Sequence, residues 1–367
     1  MQTPQPASIR LGSNQAMAAQ RVPMARVRRP AARNAGTLLI AALLAFPLAL
    51  VTTQRAAGAA GALVADVVVN EAYPENIAPS VAFDGTYLYH VGYGNSKLHR
   101  INVPPAGSSD NATGQVDITV TGAQSGIMTL AYDRGRDGFW AIGGDGLSMY
   151  LLRKSGAATL IFTIDPNTDR PGFQPVGDYP NEVKVAYDRA DDTIWYSSDA
   201  GARIYHYHTF ADAQGTAALV DGTPYIDINV PPNDMSPQCP YSQSSGVAVG
   251  GAHLFVSISG CKYLFEYTKT GGKVAAYAYT TAGGASSQDL ECDNLSYGVS
   301  VFWVRDGYDG HIRAFEQPAS SACLFGGGTG PDPTPTPTPT PSPTPMPTPP
   351  PPPILPTLPP LPTPPLL

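Results

Sequence analysis

The hexapeptide Gln288-Asp289-Leu290-Glu291-Cys292-Asp293 alternates three carboxylates with Leu and Cys. Alternate residues of an extended chain share one side, so Asp289, Glu291 and Asp293 would form one acidic face. Paired carboxylates hydrolyse glycosidic bonds: one protonates the leaving oxygen and the other attacks or activates water. Glu182, two residues before Lys184 and expected in the loop entering the innermost strand of its unit, is a further acid. Asp289, Glu291 and Glu182 are therefore the candidate catalytic residues if the chain is a hydrolase. If it only binds, none is assigned a catalytic role.

Other chemistries find less support. His206 and His208 alternate as a metal-binding pair would, but exposed positions on one strand explain them equally. DRGRDG (133–138) and RDGYDG (305–310) lack the full oxygen-ligand spacing of a calcium loop and suit connecting turns. No CxxC pair, GxSxG elbow, phosphate loop or dinucleotide glycine fingerprint occurs. No metal and no cofactor is expected.

The elements that must position these residues are short strands. Five segments share one pattern: an apolar run ending near Asp, a turn, an apolar–aromatic pair, a Gly/Asp loop and a further strand. The pairs are Leu88–Tyr89, Phe139–Trp140, Ile194–Trp195, Leu254–Phe255 and Phe302–Trp303. Ten residues after each first member stands Leu98, Met149, Ile204, Leu264 or Ile312; three later stands Ile101, Leu152, Tyr207, Tyr267 or Phe315. A further β run follows the first four units, at 115–121, 158–164, 224–230 and 273–280. Four strands per unit, with units 48 to 60 residues apart, give an all-β fold, a five-bladed β-propeller with four-stranded blades. The fifth unit lacks its outer strand, because Pro318 ends the ladder. The run 62–70 has no unit of its own and can close the ring, hiding both edges. The alternative is a larger propeller with a further blade within 165–240.

The repeat aligns the hexapeptide. Asp293 matches Asp84, Asp133 and Asp188, at the turn after the first strand. Leu290 matches Val81, Leu130, Val185 and Val247, core positions, and Cys292 takes the place of Phe83, Tyr132 and Tyr187. Asp289 replaces Ser80, Thr129, Lys184 and Gly246 near the central channel. Glu291 is the anomaly, since its counterparts are Ala82, Ala131, Ala186 and Ala248. A carboxylate in that tight space needs a partner or its pKa rises. Arg305 and Arg313 are the natural partners for a buried ion pair.

On this repeat, 62–323 resembles secreted bacterial β-propeller proteins. Five-bladed relatives include glycosidases, nucleotide hydrolases and sugar-binding lectins. No diagnostic motif of these groups is present, so the resemblance implies a fold and transfers no functional residue.

The flanks differ from this body. All 29 acids lie from Asp66 onward, whereas seven of the arginines precede it. So acidic a body repels phosphate backbones, and no nucleic-acid partner is expected. Arginines before the apolar run 37–51, followed by small residues at 56–62, follow the order of a secretory signal peptide. Residues 1–61 are read as leader and signal, with Met24 as an alternative start. The run is short for a membrane span, so none is expected in the mature form. Residues 324–367 begin with glycines and continue as a Pro/Thr tail holding 20 of the 39 prolines. That tail reads as a disordered, extended stalk of roughly 100 Å. The expected location is secreted or attached to the cell envelope.

Four cysteines in an exported domain suggest two disulfides. Cys239 and Cys261 fall in loops of one face, Cys292 and Cys323 toward the other, so the expected bonds are Cys239–Cys261 and Cys292–Cys323. The first face also carries the long loops 165–181 and 231–244. Phe173, Asp178, Tyr179, Tyr241 and Tyr308 stand there as candidate ligand-binding residues, because aromatic faces beside polar groups suit sugars. The expected function is a binding or scaffold module for carbohydrate or another extracellular protein, with a glycoside hydrolase or other hydrolase as the alternative.

Overall fold

In a computed structural model of the protein, the described residues are 59–69, 80–92, 95–171, 179–281, 287–307, 309–321 and 323. The leader before residue 59 and the tail after Cys323 lie outside them. Strand β1 (Leu63–Val68) precedes five blades. Blade one holds β2 (Ser80–Phe83), β3 (Tyr87–Val91), β4 (Lys97–Asn102) and β6 (Val116–Thr119), with β5 (Ser109–Asn111) in the loop between the last two. Blade two holds β7 (Ala131–Asp133), β8 (Gly138–Ile142), β9 (Ser148–Arg153) and β10 (Ala158–Thr163). Blade three holds β11 (Tyr179–Asp188), β12 (Thr193–Asp199) and β13 (Arg203–Ala211); both β14 (Ala217–Leu219) and β15 (Tyr225–Asp227) pair with β13. Blade four holds β16 (Gly246–Gly250), β17 (His253–Ser257), β18 (Tyr263–Thr268) and β19 (Lys273–Ala278). Blade five holds β20 (Ser287–Asp293), β21 (Val301–Asp306) and β22 (His311–Glu316). The fold is the five-bladed β-propeller expected from the repeat. The stretch 165–240 adds no blade. It completes blade three, whose outer edge is two short strands rather than the single run 224–230.

The sequence spacing has a direct structural meaning. The first member of each apolar–aromatic pair is the cross-strand partner of the residue thirteen later: Leu88 of Ile101, Phe139 of Leu152, Ile194 of Tyr207, Leu254 of Tyr267 and Phe302 of Phe315. Register is fixed wherever a face is buried, since a slip of one residue turns every side chain over. These ten side chains are 0–1% exposed. They feed five hydrophobic clusters, one between each adjacent pair of blades.

Strand β1 closes the ring. It pairs antiparallel with β22, Asp66 opposite Arg313 and Val67 opposite Ile312. Its outer edge is covered in turn by β5, running parallel. Side chains reinforce the seam: His311 Nδ1 lies 2.7 Å from Asp66 Oδ1 and Arg313 Nε 3.4 Å from Asp66 Oδ2. Both expected disulfides are present, Cys239–Cys261 with Cα atoms 5.9 Å apart and Cys292–Cys323 with Cα atoms 5.6 Å apart.

The turn aspartates act with the aromatic partners. Trp140 Nε1 donates to Asp133 at 3.1 Å, Trp195 Nε1 to Asp188 at 3.5 Å and Trp303 Nε1 to Asp293 at 2.9 Å. Each indole N–H is buried and needs an acceptor. In blade four Phe255 has no N–H, and the turn position is Gly250, where a Cβ would come within 2.6 Å of the Phe255 ring. Asp293 also accepts from Leu295 N at 2.7 Å and Ser296 N at 3.0 Å, which makes it the turn residue that the repeat predicts. Replacing Trp303 with Phe keeps the ring and strips Asp293 Oδ2 of its indole donor. The expected cost is about 1–3 kcal/mol, read as a lower urea midpoint at unchanged slope. An unchanged midpoint would mean that this hydrogen bond contributes nothing to blade five.

Candidate axial site

The five inner strands β2, β7, β11, β16 and β20 touch one another in sequence around the axis. Two layers of side chains from these strands line the centre. The layer at the strand beginnings is Ser80, Thr129, Lys184, Gly246 and Asp289. All but Gly246 are polar and fully enclosed, Lys184 at 1% and Asp289 at 0% exposure. Three of the blades grip the next here. Asp289 Oδ2 accepts from Val81 N at 3.0 Å and from the Ser80 hydroxyl. Ser80 Oγ then accepts from Leu130 N at 2.8 Å, and Thr129 Oγ1 from Val185 N at 3.2 Å. Blade four contributes no side chain because none fits: a Cβ on Gly246 would lie 2.9 Å from Asp289 Cα.

Charge in this layer is balanced locally. Burial pushes the Asp289 carboxyl up to about 7, and Lys184 opposes the rise. Burial holds Lys184 below the ordinary lysine range, opposed by Asp289, Asp199 and Glu182. Glu182 is raised by burial and by Asp199. Glu182 stands within β11, in the irregular stretch between Tyr179 and Val183, rather than in a loop entering that strand.

The second layer is Ala82, Ala131, Ala186, Ala248 and Glu291. In register, each stands opposite the aromatic member of its blade's pair: Tyr89, Trp140, Trp195, Phe255 and Trp303. The small residues mark where the inner strands converge most closely. Glu291 uses the space that the alanines leave. It lines an inner cavity with Ala131, Ala186, Ala248, Tyr132 and Tyr187. It also lines the adjoining cup, of about 50 Å³, whose rim carries Arg134, Arg189, Val249, Gly251 and the Cys292–Cys323 bond.

Glu291 does not pair with Arg305 or Arg313. Paired residues on neighbouring strands project to the same side, so Glu291 shares its side with Trp303 and Ala314, while Arg313 lies opposite Val304 and projects to the other. Arg313 engages Asp66, Asp306 and Asp309 instead. Arg305 is opposite Asp289, one step further along, and donates to His311 O at 3.3 Å. The donors to Glu291 are backbone groups: Cys292 N at 3.0 Å and, across the axis, Tyr132 N at 3.5 Å. Burial pushes the Glu291 carboxyl well above the usual range, and the negative charges of Asp289 and Asp293 add to that.

The three candidate acids thus face different surroundings. Asp289 is enclosed between blades, and Glu291 opens to the cup on the face of the turns that follow the inner strands. Neither cavity lined by Glu291 reaches Asp289 or Glu182. Of the proposed ligand-binding residues, Phe173, Asp178 and Tyr308 lie outside the described residues, as does the side chain of Tyr179. Tyr241 is 42% exposed in an open groove with Asp234, Pro237 and Pro240, and donates to Ser259 O at 3.2 Å. His206 is buried rather than exposed: it stacks on Trp195 at 3.8 Å and contacts Thr193 Oγ1 at 2.7 Å. DRGRDG is a turn clasped by Arg136, which bonds Asp133 at 2.6 Å and Asp192 at 2.7 Å. Among the described residues no cluster of three His, Cys, Asp or Glu side chains could hold a metal.

Sequence reasoning missed the cup. Its signal was the tetrapeptide Ala-Tyr-Asp-Arg, present at 131–134 and again at 186–189. In both copies Ala lines the axis, Tyr walls the cup, Asp holds the indole and Arg reaches the rim.

No protein-family model and no curated protein matches the chain. Solved structures give distant likenesses. Virginiamycin B lyase from Staphylococcus aureus has 14% identity and a TM-score of 0.34, over 63% of this chain and 63% of that one. A Bacteroides thetaiotaomicron protein of unknown function has 12% identity and a TM-score of 0.41, over 65% of this chain and 58% of its own. A Myxococcus xanthus glutaminyl cyclase has 11% identity and a TM-score of 0.39, over 69% and 97%. The chain spans under two thirds of the first two, and likenesses this distant transfer no activity.

Folded Glu291 and Asp289 hold protons more tightly than the unfolded chain does. Each therefore contributes stability that is complete below its unfolded pKa and is lost as pH rises through the folded value. For Asp289 that window runs from 3.8 to about 7. Glu291→Gln should remove the Glu291 share of the loss. The variant is expected to match the parent at pH 4 and to exceed it at pH 8 by about 1 kcal/mol, or about 2–4 °C in Tm. Equal melting at both pH values would place Glu291 in bulk water.

Proposed function

We propose that this chain is an extracytoplasmic binding module that receives a polar substituent of its ligand in the axial cup, and that it is not a hydrolase. The observation that carries this reading is Glu291 itself. It stands where four blades have alanine and opens to a cavity walled by Tyr132 and Tyr187. Hydrolysis by a carboxylate pair requires both groups at the scissile bond, about 5–9.5 Å apart in one open space. Enclosure of Asp289 on the far side of the axial layer works against that arrangement.

The cup has room for a few atoms, on the scale of a few waters, and not for a sugar ring. A carbohydrate would therefore enter by one substituent, with its ring at the rim against Tyr187. The hydroxyls of Tyr132 and Tyr187 are engaged at 2.9 Å by Asp137 and Asp192, so the rings present their faces rather than their oxygens. Two disulfides suit an oxidising compartment. Among the described residues no helix is long and apolar enough to cross a membrane. In this reading the Pro/Thr segment acts as a stalk that holds the propeller away from a surface.

A glycan array probed with the full-length protein, with each hit assayed for hydrolysis, tests the reading. A hit should bind without being cleaved. Tyr187→Ala should weaken it by about 1 kcal/mol or more in titration calorimetry, while Tyr187→Phe, which keeps the ring, should bind as the parent does. Cleavage of the hit would favour the hydrolase, and indifference to Tyr187→Ala would move the ligand to another face.

A further inference from the structure

The loop-bearing face holds a second opening, at the end of the inner strands away from the cup. It is a groove of about 740 Å³ between the β12–β13 turn and the segment 228–245 that leads into β16. The cup admits only a substituent, whereas this groove has the volume of a site for one or two whole rings. Its walls are braced. Met235 is fully buried in the core between blades three and four, and the Cys239–Cys261 bond ties the segment to the loop before β18. Met235 N donates to Ser242 Oγ at 2.7 Å and the Tyr267 hydroxyl to Asn233 O at 3.1 Å. Lys273 Nζ donates to the carbonyls of Asp234 and Ser236. Ala200 and Ala202 form the blade-three side of the groove. Hydrogen bonds from Ile228 N to Ala202 O at 3.0 Å and from Ser244 N to Gly201 O at 2.9 Å join that side to the segment. In this setting Tyr241 is 42% exposed and yet fixed. Its hydroxyl donates to Ser259 O at 3.2 Å, and Gly260 leaves room for it, since a Cβ there would lie 2.7 Å from that oxygen. A ring whose direction is set beforehand loses little rotamer freedom when a ligand arrives.

We propose that this groove is a second ligand site, for the ring of a neutral sugar; it stands independently of the reading of the cup. The C–H face of a pyranose stacks on the open face of Tyr241. Asn229 and Gln243 bring amides, Ser236 a hydroxyl and Asp234 a carboxylate to the same groove. Together they offer the donors and acceptors that sugar hydroxyls need. Asp234 is the one charged side chain among the described residues that line the groove, so an anionic ligand meets no cation there. An organic cation would find one ring and one carboxylate rather than an aromatic cage. It would also cover the amides without satisfying them, at a desolvation cost that a sugar avoids.

Saturation-transfer NMR on the full-length protein tests this, with the methyl glycosides of glucose, galactose, mannose and N-acetylglucosamine as probes and choline as the cationic comparison. At least one glycoside should receive saturation at its ring C–H protons. Tyr241→Ala should weaken that glycoside about fivefold or more, and Gln243→Ala about threefold. Tyr241→Phe loses the same bond to Ser259 O and keeps the ring, so it should bind within about threefold of the parent. Equal loss in the Phe and Ala variants would mean that stacking contributes nothing, and would overturn the inference. So would a glycoside that is lost with Tyr187→Ala and indifferent to Tyr241→Ala, which would place the sugar in the cup instead. The reverse dependence supports the groove and takes the sugar away from the cup. Choline bound more tightly than every glycoside, or no glycoside bound at all, overturns the groove as a sugar site.

Discussion

Closure of the ring is the constraint on which this structure depends. Each blade buries its two faces only against its neighbours, so the hydrophobic clusters exist as a set of five or not at all. A ring left open would expose two such faces and a free ladder edge, which is the liability that edge strands create. Strand β1 resolves this with a pairing to β22, supported by Asp66 against His311 and Arg313. The first strand and the last three therefore form one blade, and the ends of the propeller are joined by a ladder. The Cys292–Cys323 bond adds a covalent tie in the same blade.

Closure with only five blades brings the inner strands close together, and that closeness shapes the site. Alanine at four of five equivalent positions is the steric consequence. A single longer side chain can then reach across the axis, as Glu291 does toward Tyr132 N. The polar layer above it is built differently, from a relay of side-chain acceptors that clasp the backbone of the next blade. Asp289 belongs to that relay, which is why a carboxylate two residues from Glu291 has a separate role. One strand carries both, and the strand's surroundings decide which is enclosed and which opens to a cavity.

Charge is distributed by the same logic. Aspartate after the inner strand satisfies a buried indole, and a cation then neutralises it, Arg136 of the same turn in blade two and Lys269 of blade four in blade three. In blade four, where the aromatic residue is Phe255, the aspartate is absent and Gly250 takes its place. The DRGRDG stretch, which resembles a calcium loop, is a product of this arrangement. The cup between these turns is lined by Glu291, Tyr132 and Tyr187.

The sequence by itself determined the fold, because the propeller is written in local spacing. The thirteen-residue interval from Leu88 to Ile101 is the register of a hairpin, and it repeats in every blade whatever surrounds it. Turn aspartates, the missing fifth outer strand and both disulfides follow from the same alignment. Blade three was less legible, because its outer edge is divided between 217–219 and 225–227. The site was legible only in part. Glu291 stood out against four alanines, but its neighbours did not, since Tyr132, Arg134, Tyr187 and Arg189 belong to other blades and become adjacent only when the ring closes. The expected partnership with Arg305 or Arg313 failed for related reasons: Arg313 projects to the other side of the sheet, Arg305 stands opposite Asp289 rather than Glu291, and contacts across the axis join blades far apart in the chain. Hairpin register is a local property, set by burial of one face, whereas the contents of the axis are set by five distant strands meeting at one line.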